Sequence, residues 1–164
     1  MDNDYLSYIE ERLAAVEGLD PQFRSLLTGN VDDQSVQLTA TRDFAPASLE
    51  DLTFIANALR DLRSLGRHLR GGVRLGADAL LEIEWRVLKS SPGFWIAHLE
   101  DDNTGGCDII ALHDKCDPRD LYLSINGREA PSRLYEEIAM AHQAIPALLQ
   151  WIRARDYVSN RNAS

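Results

Sequence analysis

The chain has few of the features by which common protein classes are recognised. Its 164 residues include only two cysteines, Cys107 and Cys116, which are too few for a disulfide framework. No apolar run comes close to the ~20 residues that cross a bilayer, and the first residues are acidic where a secretory signal is basic. The sequence therefore predicts a cytoplasmic protein with one domain over residues 1–158 and a polar tail over 159–164.

Short catalytic motifs are also missing. The chain has no G-x-S-x-G nucleophile turn, no H-E-x-x-H zinc motif, no P-loop and no G-x-G-x-x-G dinucleotide motif. The sequence therefore favours a protein that is not an enzyme, and it gives no reason to expect a cofactor.

Positive charge is scarce and unevenly placed. Seventeen basic residues stand against 26 acidic ones, which gives a net charge of −9 and argues against nucleic-acid binding over the whole surface. Residues 98–120 carry seven acidic side chains and two basic ones. We expect this segment to meet a basic surface on another protein. The predicted contact residues are Asp101, Asp102, Asp114, Asp117 and Asp120.

The arginines of one segment form a regular row. Arg60, Arg63, Arg67 and Arg70 are spaced 3, 4 and 3 residues apart, so a helix would align them in one stripe, and Arg74 would extend it. None of the four has an acidic residue three or four positions away. Either acids elsewhere in the fold pair with the stripe, or it binds phosphate or nucleic acid, since guanidinium groups bind phosphate bidentately. Pairing within the fold is the favoured interpretation.

A metal or thiol site is a further alternative. His98, Cys107, His113 and Cys116 fall within 19 residues, and zinc takes such ligands. The spacing is poor, however, because His113 and Cys116 form the only close pair. Cys107 could also act as a nucleophile with His113 or His98 as its base.

Periodicity predicts helices and one strand in the first half of the chain. A helix over 4–17 has apolar residues at helical spacing, and a short second helix begins at Asp20-Pro21. Alternation favours a strand over 35–43. Ser48 then begins a long helix that carries the arginine stripe and ends at Gly71-Gly72.

The second half is predicted to be a meander followed by a helix. Alternation favours strands over 81–87, 94–99, 107–113 and 121–125, joined by short links. A long helix over 131–157 contains Pro146, which should kink it. The fold class is therefore α+β, in the order α-α-β-α-β-β-β-β-α, with an antiparallel sheet of four to five strands.

The final helix carries a second apolar stripe, and this stripe could form a homodimer contact. It consists of Met140, Ala144, Ala147 and Trp151. The leading functional hypothesis is a small, acidic protein-binding module that acts through residues 98–120. The classes considered are an inhibitor, an immunity or anti-defence factor, and a chaperone-like adaptor, of bacterial or phage origin.

Overall fold

The computed structural model describes residues 3–18, 38–42, 45–99, 108–113, 119–125 and 127–162. These residues form four helices and an antiparallel sheet, so the predicted α+β class is confirmed. The helices are α1 (Asn3–Glu17), α2 (Leu49–Leu69), α3 (Ala77–Lys89) and α4 (Ser132–Asn162). The strands are β1 (Leu38–Arg42), β2 (Ala45–Pro46), β3 (Phe94–His98), β4 (Ile109–His113), β5 (Arg119–Ile125) and β6 (Arg128–Glu129).

The sheet has the order β2-β1-β5-β4-β3, and β6 also pairs with β5. One face is buried because alternate side chains such as Trp95, Ile110 and Leu121 point toward the helices. The opposite face leaves Phe94 and Ile96 exposed on β3, the last strand in this order.

Local signals placed α1 and α2 correctly. The apolar face of α1 is buried as predicted, with Ile9 and Val16 in the core. Ser48 caps α2 because its side chain accepts a hydrogen bond from the Asp51 amide at 3.1 Å. The helix predicted from Asp20-Pro21 lies outside the described residues, as do the ends of the 35–43 strand.

The strand predicted over 81–87 is wrong, because this segment belongs to α3. Its apolar residues satisfy both periods, and helix formers such as Ala77, Ala79 and Glu82 favour the helical one. The following turn therefore joins a helix to β3 instead of joining two strands, and Gly93 adopts a positive φ of 99° there.

Helix α4 lies across the sheet and also contacts the other three helices. It spans the predicted range and continues to Asn162, with Pro146 inside it. Of its second apolar stripe, Ala144 is buried and Met140 and Trp151 pack against the core. This stripe therefore serves the chain's own packing, and a homodimer through it stays a prediction.

Among the described residues, none of the helices combines the length and apolar character that crossing a membrane requires.

Candidate functional site

The arginine stripe lies on the flank of α2, as the spacing predicted, and two of its members bind acids of the chain. Arg60 Nε lies 3.6 Å from Asp61 Oδ1. Arg70 binds both carboxylate oxygens of Glu10 at 3.3 and 3.2 Å, and it donates to Ser7 Oγ at 2.7 Å. These two acids lie on α2 and α1 respectively.

The middle of the stripe borders a cavity between α1 and α2. Arg63 and Arg67 line it together with apolar residues of both helices, and its volume is about 210 Å³. Arg74 lies beyond the end of α2 and is exposed. A common phosphate or nucleic-acid site formed by the five arginines stays a prediction.

Most of the predicted acidic site lies outside the described residues, namely Asp101, Asp102, Asp114 and Asp117. Asp120 is described: it is half-buried in β5, where it pairs with Ala111 of β4.

The structure separates the two predicted histidine ligands. His98 pairs with Ile109, and His113 pairs with Phe94, so the histidines lie at opposite ends of the β3–β4 pair. At ~3.3 Å per residue, four residues of strand put about 13 Å between them. Cys107 and Cys116 lie outside the described residues, within which no group of three potential ligands could hold a metal.

Helix α3 buries an ion pair against α2. Arg86 is 6% exposed and binds both oxygens of Asp61, itself 3% exposed, at 2.7 and 2.9 Å. Burial raises the pKa of Asp61, and the Arg86 guanidinium opposes that shift. Glu82 adds a second partner for Arg86 one turn earlier on α3. Glu84, also on α3, forms an ion pair with Arg153 of α4.

The end of α3 is fastened to α4 by a buried serine–histidine contact. Ser90 Oγ donates to the Val87 carbonyl at 2.7 Å and lies 3.1 Å from His142 Nε2. The serine hydroxyl can donate to either acceptor, so the direction of the bond to His142 depends on the tautomer of the ring.

His142 belongs to a wider buried cluster. Its ring stacks on Trp95 at a centroid distance of 4.5 Å, and Phe54 packs edge-on at 5.1 Å. Burial lowers the pKa of His142 to about 4, against the attraction of Asp51. The Asp51 carboxylate accepts hydrogen bonds from the Ser91 amide and hydroxyl at 2.6 and 2.8 Å. The cluster therefore joins α2, α4 and the α3–β3 turn with a neutral histidine at pH 7.

A third buried carboxylate joins α1 to α4. Glu137 is fully buried, and Arg12 Nε binds both of its oxygens at 2.8 and 3.0 Å. Arg133 Nε also lies 2.8 Å from Glu137, without a hydrogen-bonding orientation. This group holds α1 to α4 by an ion pair, whereas the His142 ring is neutral at pH 7.

The outer face of α3 is apolar. Leu81, Trp85 and Leu88 share one face at helical spacing and are 58%, 53% and 74% exposed; we call them the α3 apolar row. Beside Leu88, a cavity of about 160 Å³ lies between α3 and α4. Its α4 wall includes Pro146 and Leu149, and the Glu84–Arg153 ion pair lies at its border.

Sequence reasoning missed this row because the strand interpretation assigned Leu81 and Trp85 to a buried face. A signal was available: Leu80, Ile83 and Val87 already form an inward row at helical spacing, which leaves the other apolar residues outside. The cavity at Arg63 and Arg67 had no comparable signal, because it depends on how α1 packs on α2.

Comparisons with known proteins supply no relative: no protein-family model, curated protein or solved structure matches this chain.

Proposed function

We propose that the protein is a non-enzymatic protein-binding module whose partner presents an apolar anchor flanked by basic side chains. An inhibitor and an adaptor are the classes that fit. The observation that carries the proposal is the α3 apolar row, which places three large side chains in solvent on a helix of 13 residues.

The composition of the row suits an interface core. Tryptophan is among the residues that dominate binding energy, and such residues lie in central patches ringed by polar groups. Trp85 lies between Leu81 and Leu88 on the row, and the cavity beside Leu88 could receive an apolar side chain of the partner. The Glu84–Arg153 ion pair would form part of the polar rim.

The net charge of the chain favours a basic partner. On α3 itself the exposed acids are Asp78 and Glu82, of which Glu82 is bound by Arg86, and Lys89 is an exposed basic residue. The chain as a whole carries a net charge of −9, which would speed association with a positive surface. The predicted contacts Asp101, Asp102, Asp114 and Asp117 would add to this attraction.

The test compares two leucines of equal exposure. Leu88 belongs to the row, whereas Leu49 is also 74% exposed but lies in the first turn of α2. Wild type, Leu88→Glu and Leu49→Glu are used in parallel for affinity capture from the native host, and the captured protein is then purified and titrated by calorimetry. We expect Leu88→Glu to weaken binding at least tenfold and Leu49→Glu to leave it unchanged.

Two outcomes would overturn the proposal. The first is equal affinity of both variants for every purified partner. The second is a wild-type dimer in light scattering that Leu88→Glu converts to a monomer, because the occupant of the row would then be a second copy. Changing Asp101, Asp102, Asp114 and Asp117 to Asn tests the acidic segment separately, with a smaller loss expected at physiological salt.

A further inference from the structure

The connection between α2 and α3 is held by a histidine side chain. The backbone amide of Leu75 donates a hydrogen bond to His68 Nδ1 at 2.9 Å. His68 lies in the last turn of α2 and is 5% exposed. The backbone bonds that close the end of α2 extend to the Gly72 amide, and α3 begins at Ala77. For the amides of residues 73–76, the bond to His68 is therefore the one hydrogen bond that the described part of the chain provides.

This bond is compatible with only one charge state of the ring. A backbone N–H can only donate, so Nδ1 of His68 is the acceptor and the neutral ring carries its hydrogen on Nε2. A protonated ring carries hydrogens on both nitrogens, and its Nδ1–H would point at the Leu75 N–H. The bond therefore exists only while His68 is neutral. His142 differs in this respect, because the hydroxyl beside it can donate or accept.

The surroundings of His68 also disfavour its charged form. Burial lowers its pKa, and the positive charges of Arg155 on α4 and Arg74 on the connection lower it further, whereas Asp156 on α4 opposes them. Arg155 is held at the end of α2, because it donates to the Leu69 carbonyl at 3.3 Å. The Nε2 atom of His68 is buried, and no described residue accepts its hydrogen. The ring therefore has one hydrogen bond, and protonation removes it.

We propose that residues 73–76 form a pH-sensitive segment, which neutral His68 holds closed and which protonation of His68 releases. Release breaks the Leu75 bond and lets Arg74 move away from the charged ring. Of the rest of the segment, the Leu75 side chain packs against the core and Val73 is 70% exposed, so few other contacts retain it. This device is separate from the protein-binding surface on the α3 apolar row.

The direction of the pH dependence follows from the two states of the segment. In the open segment the pKa of His68 is near its ordinary value of ~6.5, and in the closed segment it is lower. The open segment therefore takes up the proton first. The segment is closed above pH ~6.5 and opens progressively as the pH falls below that value.

Two NMR measurements on the wild-type chain test the proposal. A long-range ¹H–¹⁵N spectrum of the imidazole rings identifies the tautomer, and we expect the Nε2–H form of His68 at pH 7.5. The second measurement is the protection factor of the Leu75 amide against hydrogen exchange, which corrects for the intrinsic effect of pH. We expect it to fall about five- to tenfold from pH 7.5 to 5.5, because one pH unit below ~6.5 favours the protonated open segment about tenfold.

Three variants separate the role of the ring from general effects of acid. His68→Asn keeps an acceptor close to the position of Nδ1 but does not titrate, so Leu75 should stay protected at both pH values. His68→Leu has no acceptor, so Leu75 should be weakly protected at both. His142→Gln is the matched control, because it removes another buried histidine and should leave the wild-type loss of protection unchanged.

Three results would each overturn the proposal. The first is equal protection of the wild-type Leu75 amide at pH 7.5 and 5.5. The second is an Nδ1–H tautomer of His68 at pH 7.5, which could not accept from Leu75. The third is a loss of protection in His68→Asn as large as that of wild type, because the acid effect would then come from another group.

Discussion

Helices α1 and α3 differ in the kinds of side chain that they bury and expose. Helix α1 buries Leu6, Ile9 and Leu13 and leaves polar residues outside. Helix α3 buries Arg86 among the core helices and leaves its apolar row in solvent. An exposed apolar row on a helix whose guanidinium is buried and paired is the arrangement that the proposed protein-binding role of α3 requires.

The largest expected effect comes from removing Arg86, the buried charged residue of α3. Arg86→Ala leaves the buried Asp61 carboxylate without its main partner, so we expect a loss of about 3–5 kcal/mol in the free energy of unfolding. Urea denaturation measures it. Arg153→Ala is the control, since the Glu84–Arg153 pair is largely exposed and should contribute at most ~1 kcal/mol. Equal losses for the two variants would contradict the distinction.

The second test compares the apolar residues of the two helices. Ile9→Ala in α1 leaves a cavity in the core and should cost about 2–4 kcal/mol. Leu81→Ala in α3 removes a side chain that is already in solvent, so the expected change is within ~0.5 kcal/mol. Thermal and urea unfolding both report the difference. A loss above ~2 kcal/mol for Leu81→Ala would show that the row supports the fold itself.

Lowering the pH tests the contact between the end of α3 and α4, because this contact contains His142. The pKa of His142 is about 4 in the folded chain and ~6.5 when unfolded, so the unfolded state takes up the proton first. The stability that comes from neutral His142 is complete above pH ~6.5 and is lost as the pH falls toward 4. We expect about 2–3 kcal/mol over this range.

The measurement is urea denaturation from pH 7 to pH 4, for wild type and for His142→Gln. The amide of the variant can still donate to Ser90 but does not titrate, so its stability should change less over this range. Parallel pH profiles for the two proteins would contradict the assignment. The Arg12–Glu137 attachment of α1 is present in both proteins, so the difference profile isolates the end of α3.

The smallest expected effect concerns Gly66, which lies where α1 packs on α2. Gly66→Ala should raise the free energy of unfolding by about 0.5–1 kcal/mol, because alanine favours the helix and its Cβ meets no described atom. Differential scanning calorimetry measures the increase. A decrease would mean that the cavity closes in solution and the added methyl group is crowded.

Helices α1 and α3 also differ in how well their secondary structure could be predicted from the sequence. A helix that buries its apolar residues and exposes its charges is recognisable from periodicity, and α1 and α2 were placed to within a few residues. In α3 the apolar residues cover two faces, so alternation over 81–87 matched a strand equally well. The helix formers Ala77, Ala79 and Glu82 favour the helical alternative.

The candidate sites were less predictable than the fold because they depend on packing between elements. Spacing aligned Arg60 to Arg70 correctly, but the bond from Arg70 to Glu10 joins residues 60 positions apart. The same holds for Ser90 and His142, which come together only when α3 and α4 pack. Local patterns do not contain such pairings.

The central position of α2 has a consequence for the hydrogen exchange of its backbone amides. This helix contacts α1, α3, α4 and β1, and its inner residues Phe54, Ile55 and Leu59 are almost completely buried. Any local opening that frees its middle amides must separate all of these neighbours, which amounts to opening the whole molecule. The slowest amide protons of α2 therefore report the total stability in native buffer.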